Sequence, residues 1–510
     1  MNAVADKICS LNELGKRAEE VRKSGKTVGL CHGVFDVLHI GHIKHFEAAK
    51  NECDVLFVTI TADEFVRKGP DRPYFSSAMR MQMLASMEVI GGVSVVNEPS
   101  AIPAIEAVQP SVYFKGQDYL NANEDITGKI DTERATVEKY DGRLHHTKEI
   151  TYSSSNLINN FFADYNPALR KCLRQMRENN GKDTLKSLIE KISGLNILII
   201  GDAIIDEYQF VSALGKPSKE NIIATLSQGT EQYAGSVFAV ANHLSSFSKS
   251  TEIITTLGEK NTFHDLIKER LDPSVTLNEI IVSGRPTTRK TRFVDKGYTR
   301  KLFEVYDMDD TPLPESVQRE LDEKIAERAR EADVTIVCDF GHGMIAPSTV
   351  EVLKKEAKFL AVNVQTNAGN QGFNHITKFD RADFICIDAP EARAAVAEKF
   401  EPIEDILNHT LPSRLACPYM IVTHGIYGCY VHQEGQGVTH IPAFTSSVVD
   451  TVGAGDAFFA IAAPLAALGA TSEEIGFIAN TAGALKVGVV GHRKPIDRIS
   501  VIKYITALLS

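Results

Sequence analysis

Gly33-Val34-Phe35-Asp36-Val37-Leu38-His39-Ile40-Gly41-His42 closes an apolar run at 27–34 and opens a helical pattern over 41–51. Strand, tight turn and helix in that order put two imidazoles and a glycine at a helix N-terminus. Unpaired N–H groups and the positive end of the helix dipole make such a place favourable for a phosphate. Gly41 allows close approach of the backbone, and His39 and His42 supply donors to oxygens on which charge builds. The same two histidines also fit an ordinary polar loop, but the strand before and the helix after are what phosphate chemistry requires.

Working outward, short apolar runs at 55–61, 92–97, 112–115 and 143–146 alternate with a helical pattern at 76–87, which predicts a parallel sheet with helices on its faces. The Ser-rich 153–155 precedes a helix expected at 157–162, and a compact α/β domain is placed at 25–162. Residues 163–183 are polar, rich in Arg, Lys and Asn, and lack a strand pattern, so the linker is placed there. A second α/β domain is expected over 184–510, with buried strands at 195–201, 253–256, 334–338, 360–364, 384–387 and 419–423. With 510 residues, two such domains fit the length. Acidic residues number 66 against 55 Lys+Arg, a net charge of −11, which argues against broad nucleic-acid binding. The 8 Cys form no CxxC pair, favouring a reducing cytoplasm over disulfides or structural zinc. The N-terminal residues lack the pattern of a signal peptide, and the apolar stretch at 458–470 is too short to span a bilayer.

A second turn carries chemistry of its own: Asp450-Thr451-Val452-Gly453-Ala454-Gly455-Asp456, followed by the apolar Ala457-Phe458-Phe459. Consecutive N–H groups at the start of a helix form an anion hole, and Gly453, Ala454 and Gly455 keep side chains out of the way of a phosphate. Asp456 then stands where a carboxylate can accept the proton of an attacking hydroxyl.

The first stretch resembles the signature of cytidylyltransferase-like nucleotidyltransferases, with supporting stretches at 59–65, 68–73, 113–119 and 152–155. That resemblance implies a Rossmann-like domain in which a sugar-phosphate oxygen attacks the α-phosphorus of an NTP and pyrophosphate leaves. It implies that His39 and His42 act on the phosphates and that Gly33, Phe35, Gly41, Lys44, Lys68, Arg80, Asp118, Ser154 and Ser155 bind nucleotide. Lys44 and Lys68 also fit a solvated surface, and Asp36 and Asp118 fit bonds to nearby backbone. The second half resembles the PfkB/ribokinase sugar kinases, in order, at 199–206, 254–258, 286–292, 339–343, 388–391, 423–428 and 450–459. The implied fold is ribokinase-like α/β with a small β lid. The implied roles are Asp456 as base; Thr423, Gly425, Gly428, Thr451, Gly453, Ala454, Gly455 and Asn480 toward ATP; Asp202, Asp206, Gly235, Asn242, Lys290 and Arg292 toward the sugar or its phosphate; and Asp388 with Glu391 toward Mg²⁺. A solvated strand face is the alternative for Lys290 and Arg292.

Departures from the heptose-kinase pattern gather around the acceptor. Ala234-Gly235-Ser236-Val237-Phe238 replaces Gly-Gly-Ala-Ala-Asn, Asn363-Val364-Gln365 replaces Asp-Pro-Lys, and Asp388 replaces an Asn. Phe238 lacks the hydrogen bonds of the usual Asn, so a different sugar is expected. The domain order is the reverse of that in bifunctional heptose enzymes. The reading is a cytoplasmic, bifunctional enzyme of activated-sugar synthesis of the ADP-heptose type, using Mg²⁺ with ATP for the kinase and ATP or CTP for nucleotidyl transfer. Its partners are sugar phosphates and nucleotides, with no nucleic acid, no membrane span, and homodimerisation through the kinase half. A nucleotidyltransferase with a relic kinase, and a non-catalytic nucleotide- or sugar-binding protein, are the alternatives.

Overall fold

The computed structural model describes residues 4–66, 72–116, 130–147, 165–179, 181–297, 300–445 and 447–510. They divide into two compact units, Met1–Asn166 with Ile502–Ser510, and Pro167–Val501. Both are α/β, and among the described residues the strands form three sheets.

In the first unit, β1 (Val28–Gly33), β2 (Val55–Thr61), β3 (Gly92–Val96), β4 (Val112–Gly116) and β5 (Arg143–Thr147) form a parallel sheet in the order β3-β2-β1-β4-β5. The winding reverses between β1 and β4, and open sheets of this kind take ligands in the crevice beyond the carboxyl ends of the strands at such a reversal. The histidine-bearing turn leaves that end of β1.

Within that turn Phe35 and Val37 adopt φ of 50° and 46°, in the left-handed region that residues with a Cβ occupy only when the surroundings impose it. Two side chains impose it here. Asp36 accepts from the N–H groups of Tyr74 and Phe75 at 2.7 and 3.0 Å, so it fastens backbone. Arg80 is 0% exposed and donates to the carbonyls of Val34, Thr61 and Phe75 and to Asp63 Oδ1. Arg80 was expected at a nucleotide; here its guanidinium holds the two loops together.

In the second unit the nine-stranded sheet runs β10-β9-β6-β13-β14-β15-β16-β17-β18, parallel as far as β16 and antiparallel beyond it. Its members are β6 (Asn196–Gly201), β9 (Ser250–Lys260), β10 (Val275–Pro286), β13 (Val334–Asp339), β14 (Leu360–Val364), β15 (Phe384–Asp388), β16 (Tyr419–Thr423), β17 (Cys429–Gln433) and β18 (Gly437–Ile441). The mostly apolar β6, β13 and β14 are buried almost throughout, as parallel strands under helices require. Winding reverses between β6 and β13, whose carboxyl ends carry Asp202 and Asp339. The expected lid is a separate sheet, β12-β11-β7-β8, built from β7 (Ala203–Gly215), β8 (Ala224–Ser236), β11 (Thr288–Asp295) and β12 (Arg300–Asp307).

Two details were not foreseen, although the boundary between the units, Asn166/Pro167, falls inside the segment 163–183. Pro167–Glu178, inside the segment read as linker, is a helix that buries Leu169, Leu173 and Met176; the three share one face, and the polar residues between them hide the stripe. Phe238 is 0% exposed in the helix Val237–Leu244, so it belongs to the core and does not line an acceptor pocket.

Replacing Arg80 by Met leaves the loop carbonyls without donors, at a cost of about 3 kcal/mol. Hydrogen–deuterium exchange of the full chain is expected to quicken roughly a hundredfold over 33–37 and 73–80, with β6 unchanged.

Candidate functional site

In the first unit His39 is the N-cap of the helix Ile40–Asn51, with Nδ1 accepting from the Gly41 N–H at 3.1 Å. That bond leaves the proton of a neutral ring on Nε2. Burial pushes the His39 pKa down, which favours the neutral form. The rings of His39 and His42 stack with centroids 3.9 Å apart, and Phe35 meets His42 edge-on at 5.5 Å. A Cβ on Gly33 would come within 3.0 Å of the Phe35 ring, so Gly33 seats that ring. The structure therefore brings Gly33, Phe35, His39, Gly41 and His42 together. Lys44 lies on the same helix, half-exposed and paired with Glu47 at 2.7 Å. Lys68, Asp118, Ser154 and Ser155 lie outside the described residues. Sequence reasoning passed over His32, hydrogen-bonded to Thr59 and Thr61 and pushed down to about 3 by burial and Lys115. Inside an apolar strand it gave no signal beyond its polarity.

In the second unit a 230 Å³ cavity is lined by Thr423, Gly425, Gly428, Thr451, Ala454, Gly455 and Asn480, together with apolar Phe444, Val448 and Phe458. All seven of those polar or small residues were singled out from sequence, although they come from separate strands and helices. Gly428 is required by geometry: at φ 92° a Cβ would sit 2.1 Å from the Ile441 carbonyl oxygen. Asn480 lines the cavity while its amide donates to the carbonyls of Ile441 and Pro442 at 3.2 and 3.3 Å.

The turn beside the cavity is held from both ends. Asp450 accepts from Tyr208 Oη at 2.8 Å, Lys301 Nζ at 2.8 Å, Gly491 N at 2.9 Å and Val452 N at 3.1 Å. Burial opposes its ionisation, but these donors hold it down at about 2. Lys486, fully buried, donates to the carbonyls of Val452 and Gly491 at 2.9 and 2.6 Å. Gly453 stands at φ 76°, where a Cβ would meet the His492 ring at 2.5 Å. Past it begins the helix Ala454–Ala467, with Asp456 in its first turn. Burial pushes the pKa of Asp456 up, nearby Asp206 adds to this and His492 opposes it, so this carboxylate binds a proton more readily than an exposed one.

Around the expected acceptor site the structure redistributes roles. Asp206 pairs with Arg292 and, at 3.3 Å, with His492 Nε2. Burial works against its charge, but these cations hold its pKa well below the carboxylate range. Arg292 also binds Glu304 at 2.8 Å, so Asp206 and Arg292 neutralise each other and neither is the open contact expected. Gly235 permits the pair, since a Cβ there would lie 2.1 Å from Asp206 Oδ2. Asn242, expected toward the sugar, clamps a loop with its amide, donating to the Arg270 carbonyl at 2.9 Å and accepting from Asp272 N at 2.8 Å. Lys290 is only 5% exposed, which rules out a solvated strand face; its Nζ lies 5.2 Å from the ring centroids of Tyr306 and Phe340, and burial lowers its pKa. Asp202 accepts from the N–H groups of Phe340 and His342 at 2.8 and 3.4 Å.

His342 and His492 were missed. His342 lines a small cavity with Asp202 and Thr288, and burial and Lys290 hold it down at about 3. Its Nε2 accepts from Asn367 at 3.4 Å, while its buried Nδ1 has no partner among the described residues. His342 stands within the stretch 339–343 that carries the kinase resemblance but received no role there, and His492 lies outside the stretches quoted.

Asp388 and Glu391 line a 300 Å³ cavity. They form a capping box, and Glu391 also accepts from Thr366 N at 2.8 Å. Burial and the charge of Asp388 raise Glu391 to about 7. A pair of carboxylates with excess negative charge fits a divalent cation held through water. No group of three or more metal-ligating side chains occurs among the described residues, and no helix among them is long and apolar enough to cross a membrane.

Residues 195–498, more than half of the chain, match the pfkB family carbohydrate kinases, and residues 30–160 match the cytidylyltransferase-like family. Bifunctional protein HldE of Methylobacillus flagellatus is 38% identical over 119 residues, 23% of this chain and 24% of that protein. The chain thus matches about a quarter of the length of this curated relative. Escherichia coli phosphofructokinase-2 in complex with potassium aligns with a TM-score of 0.52 at 16% identity, covering 62% of this chain and all of that one. The tetrameric inhibited form of that enzyme gives 0.50 at 15% identity, covering 61% and 99%. At these identities the likeness is one of fold.

Gly235→Ala is expected to expel Asp206 from its pair and destabilise the second unit by about 2–4 kcal/mol. Gly455→Ala meets nothing within 4 Å in the protein and is expected to leave the unfolding midpoint unchanged, yet to reduce the stabilisation given by Mg-ATP because its methyl enters the cavity. Thermal unfolding with and without Mg-ATP reads both.

Proposed function

The chain belongs to the pfkB family of carbohydrate kinases, and from that premise we propose that its second unit moves the γ-phosphoryl group of ATP onto a hydroxyl of a sugar or sugar phosphate, while its first unit moves a nucleotidyl group from ATP or CTP onto a sugar 1-phosphate. The observation that carries this reading is the convergence of seven residues on one cavity beside a helix start that holds Asp456. Adenosine fits the apolar walls at Phe444, Val448 and Phe458, and the triphosphate meets the N–H groups of the turn. The acceptor hydroxyl gives its proton to Asp456 as its oxygen bonds to the γ-phosphorus; the bond from that phosphorus to the β-bridging oxygen breaks and ADP leaves. Lys290 and His342 are assigned to an anionic group on the acceptor, in place of the expected Arg292. Asp388 and Glu391 would hold Mg²⁺, which supplies neutralisation of the triphosphate charge.

In the first unit a sugar-phosphate oxygen, already ionised, attacks the α-phosphorus and pyrophosphate leaves. His39 donates from Nε2, and His42 and the helix N-terminus face the same oxygens, so the protein positions and stabilises charge without a base. The resemblance to heptose enzymes favours an ADP-heptose-type product made in the cytoplasm. Self-association through the outer face of the lid is supported by exposed Phe303 and Val305, at 52% and 50%, and by the tetramer of the fold relative.

Phosphorus-31 NMR with Mg²⁺, ATP and heptose 7-phosphate is expected to show ADP and a new anomeric phosphate; heptose 1-phosphate with ATP or CTP is expected to give pyrophosphate and a nucleotide-sugar. Asp456→Asn is expected to cut the first reaction by at least about a thousandfold while ATP binding persists, and undiminished turnover would refute its role. Light scattering of Phe303→Glu is expected to show loss of the oligomer formed by the unaltered chain.

A further inference from the structure

Asp456 needs one oxygen free and correctly aimed, and a side chain from β14's carboxyl end decides which. Gln365 Nε2 donates to Asp456 Oδ1 at 3.2 Å, the one hydrogen bond to this carboxylate among the described residues. Gln365 is itself fixed. Its N–H donates to the Asp339 carbonyl at 2.8 Å, and its carbonyl accepts from Asn374 Nδ2 at 3.2 Å. Asn374 accepts in turn from Lys378 at 2.9 Å, and Lys378 pairs with Asp339. Asn367 and Asn370 donate to the Phe340 carbonyl at 2.8 and 2.7 Å, so the loop after β14 is fastened to the end of β13 at several points.

Resting on the kinase reading above, we propose that Gln365 is a positioning residue for phosphoryl transfer, whose amide occupies Oδ1 of Asp456 and thereby reserves Oδ2 as the proton acceptor. The acceptor O–H proton passes to Oδ2, the new O–P bond forms and ADP leaves with the electron pair of the broken bond. The neutrality of the donor matters as much as its direction. Lys486 and His492, from and just beyond the helix Ser472–Lys486, favour the ionised form; Asp206 on β7 and Glu391 on the helix Ala389–Val396 oppose it, and the buried thiol of Cys338 on β13 lies nearby. A cation at position 365, as in the Asp-Pro-Lys of the heptose kinases, tips that balance toward a weaker base, whereas the neutral amide of a glutamine aims the carboxylate and favours its ionised form through one hydrogen bond only, with burial still raising its pKa overall.

The test uses the full chain with Gln365 changed to Leu, Lys or Glu, and Asp456→Asn as reference. ADP formation from Mg-ATP is followed from pH 5 to 9 with heptose 7-phosphate and, separately, with water as the sole acceptor. Gln365→Leu is expected to lower kcat about tenfold with the KM for ATP within about twofold. The acid limb of kcat marks protonation of the base. It is expected to move down by about one pH unit in Gln365→Lys, where a cation favours the carboxylate, and up by about one in Gln365→Glu, where a second acid opposes it. A purely structural role gives no shifts of opposite sign, so limbs that stay fixed or move together overturn the proposal. If Asp456→Asn retains turnover, the kinase reading itself fails; if it is inactive while the limbs do not move, only the role of Gln365 fails. No ADP from the unaltered chain in either arm overturns both.

Discussion

Four donors from four places in the chain converge on the carboxylate of Asp450: a lid tyrosine from β7, a lid lysine from β12, and the backbone of residues 452 and 491. Its low pKa keeps the charge in place across the physiological range, so the clamp does not come and go with pH. Because the lid sheet and the phosphate turn share this anion, the position of Asp456, six residues on, depends on it. The second buried anion, Asp206, repeats the device a layer higher by tying β11 to the segment that carries His492. Two carboxylates thus organise the site without touching a ligand, and a third, left without a cation of its own, keeps its proton affinity.

On the proposed reading the two units meet phosphate in related ways. Each presents the start of a helix after a strained or glycine-bearing turn, and each keeps the adjacent side chains uncharged or weakly charged. A neutral His39 donates without adding a fixed charge, and burial keeps Asp456 from being a weak base. The helix start supplies the electrostatics in both, while the side chains supply direction.

Much of the fold was legible in the sequence because burial on both faces favours short, mostly apolar runs: β6, β13 and β14 read as strands from that pattern. The helix at Pro167–Glu178 was not legible, since its three buried residues, Leu169, Leu173 and Met176, look like noise among the charged ones until the 3.6-residue spacing is imposed. The turn residues of the cavity were legible because small residues at a helix start leave room for a phosphate, and Thr423, Gly425, Gly428 and Asn480 through the family resemblance. Asp206, Arg292, Arg80 and Asn242 were recognised as important, but their partners within the protein were not foreseen. Charge type shows in a sequence, whereas which counter-charge or carbonyl lies opposite depends on strand register and loop path. Gln365 registered only as a departure from a pattern, His342 only as part of a matched stretch, and His492 not at all, because a lone side chain acquires meaning from what folds against it.

Lys486 closes the floor beneath the phosphate turn, with its ammonium enclosed by two carbonyls and no exposed surface. An amine so enclosed is out of reach of acyl donors and of amine-directed reagents while the turn is shut. Each covalent labelling event at that nitrogen must therefore follow an opening of the turn, and the labelling rate of this one lysine, set against those of its surface counterparts, becomes a clock for how often the floor lifts.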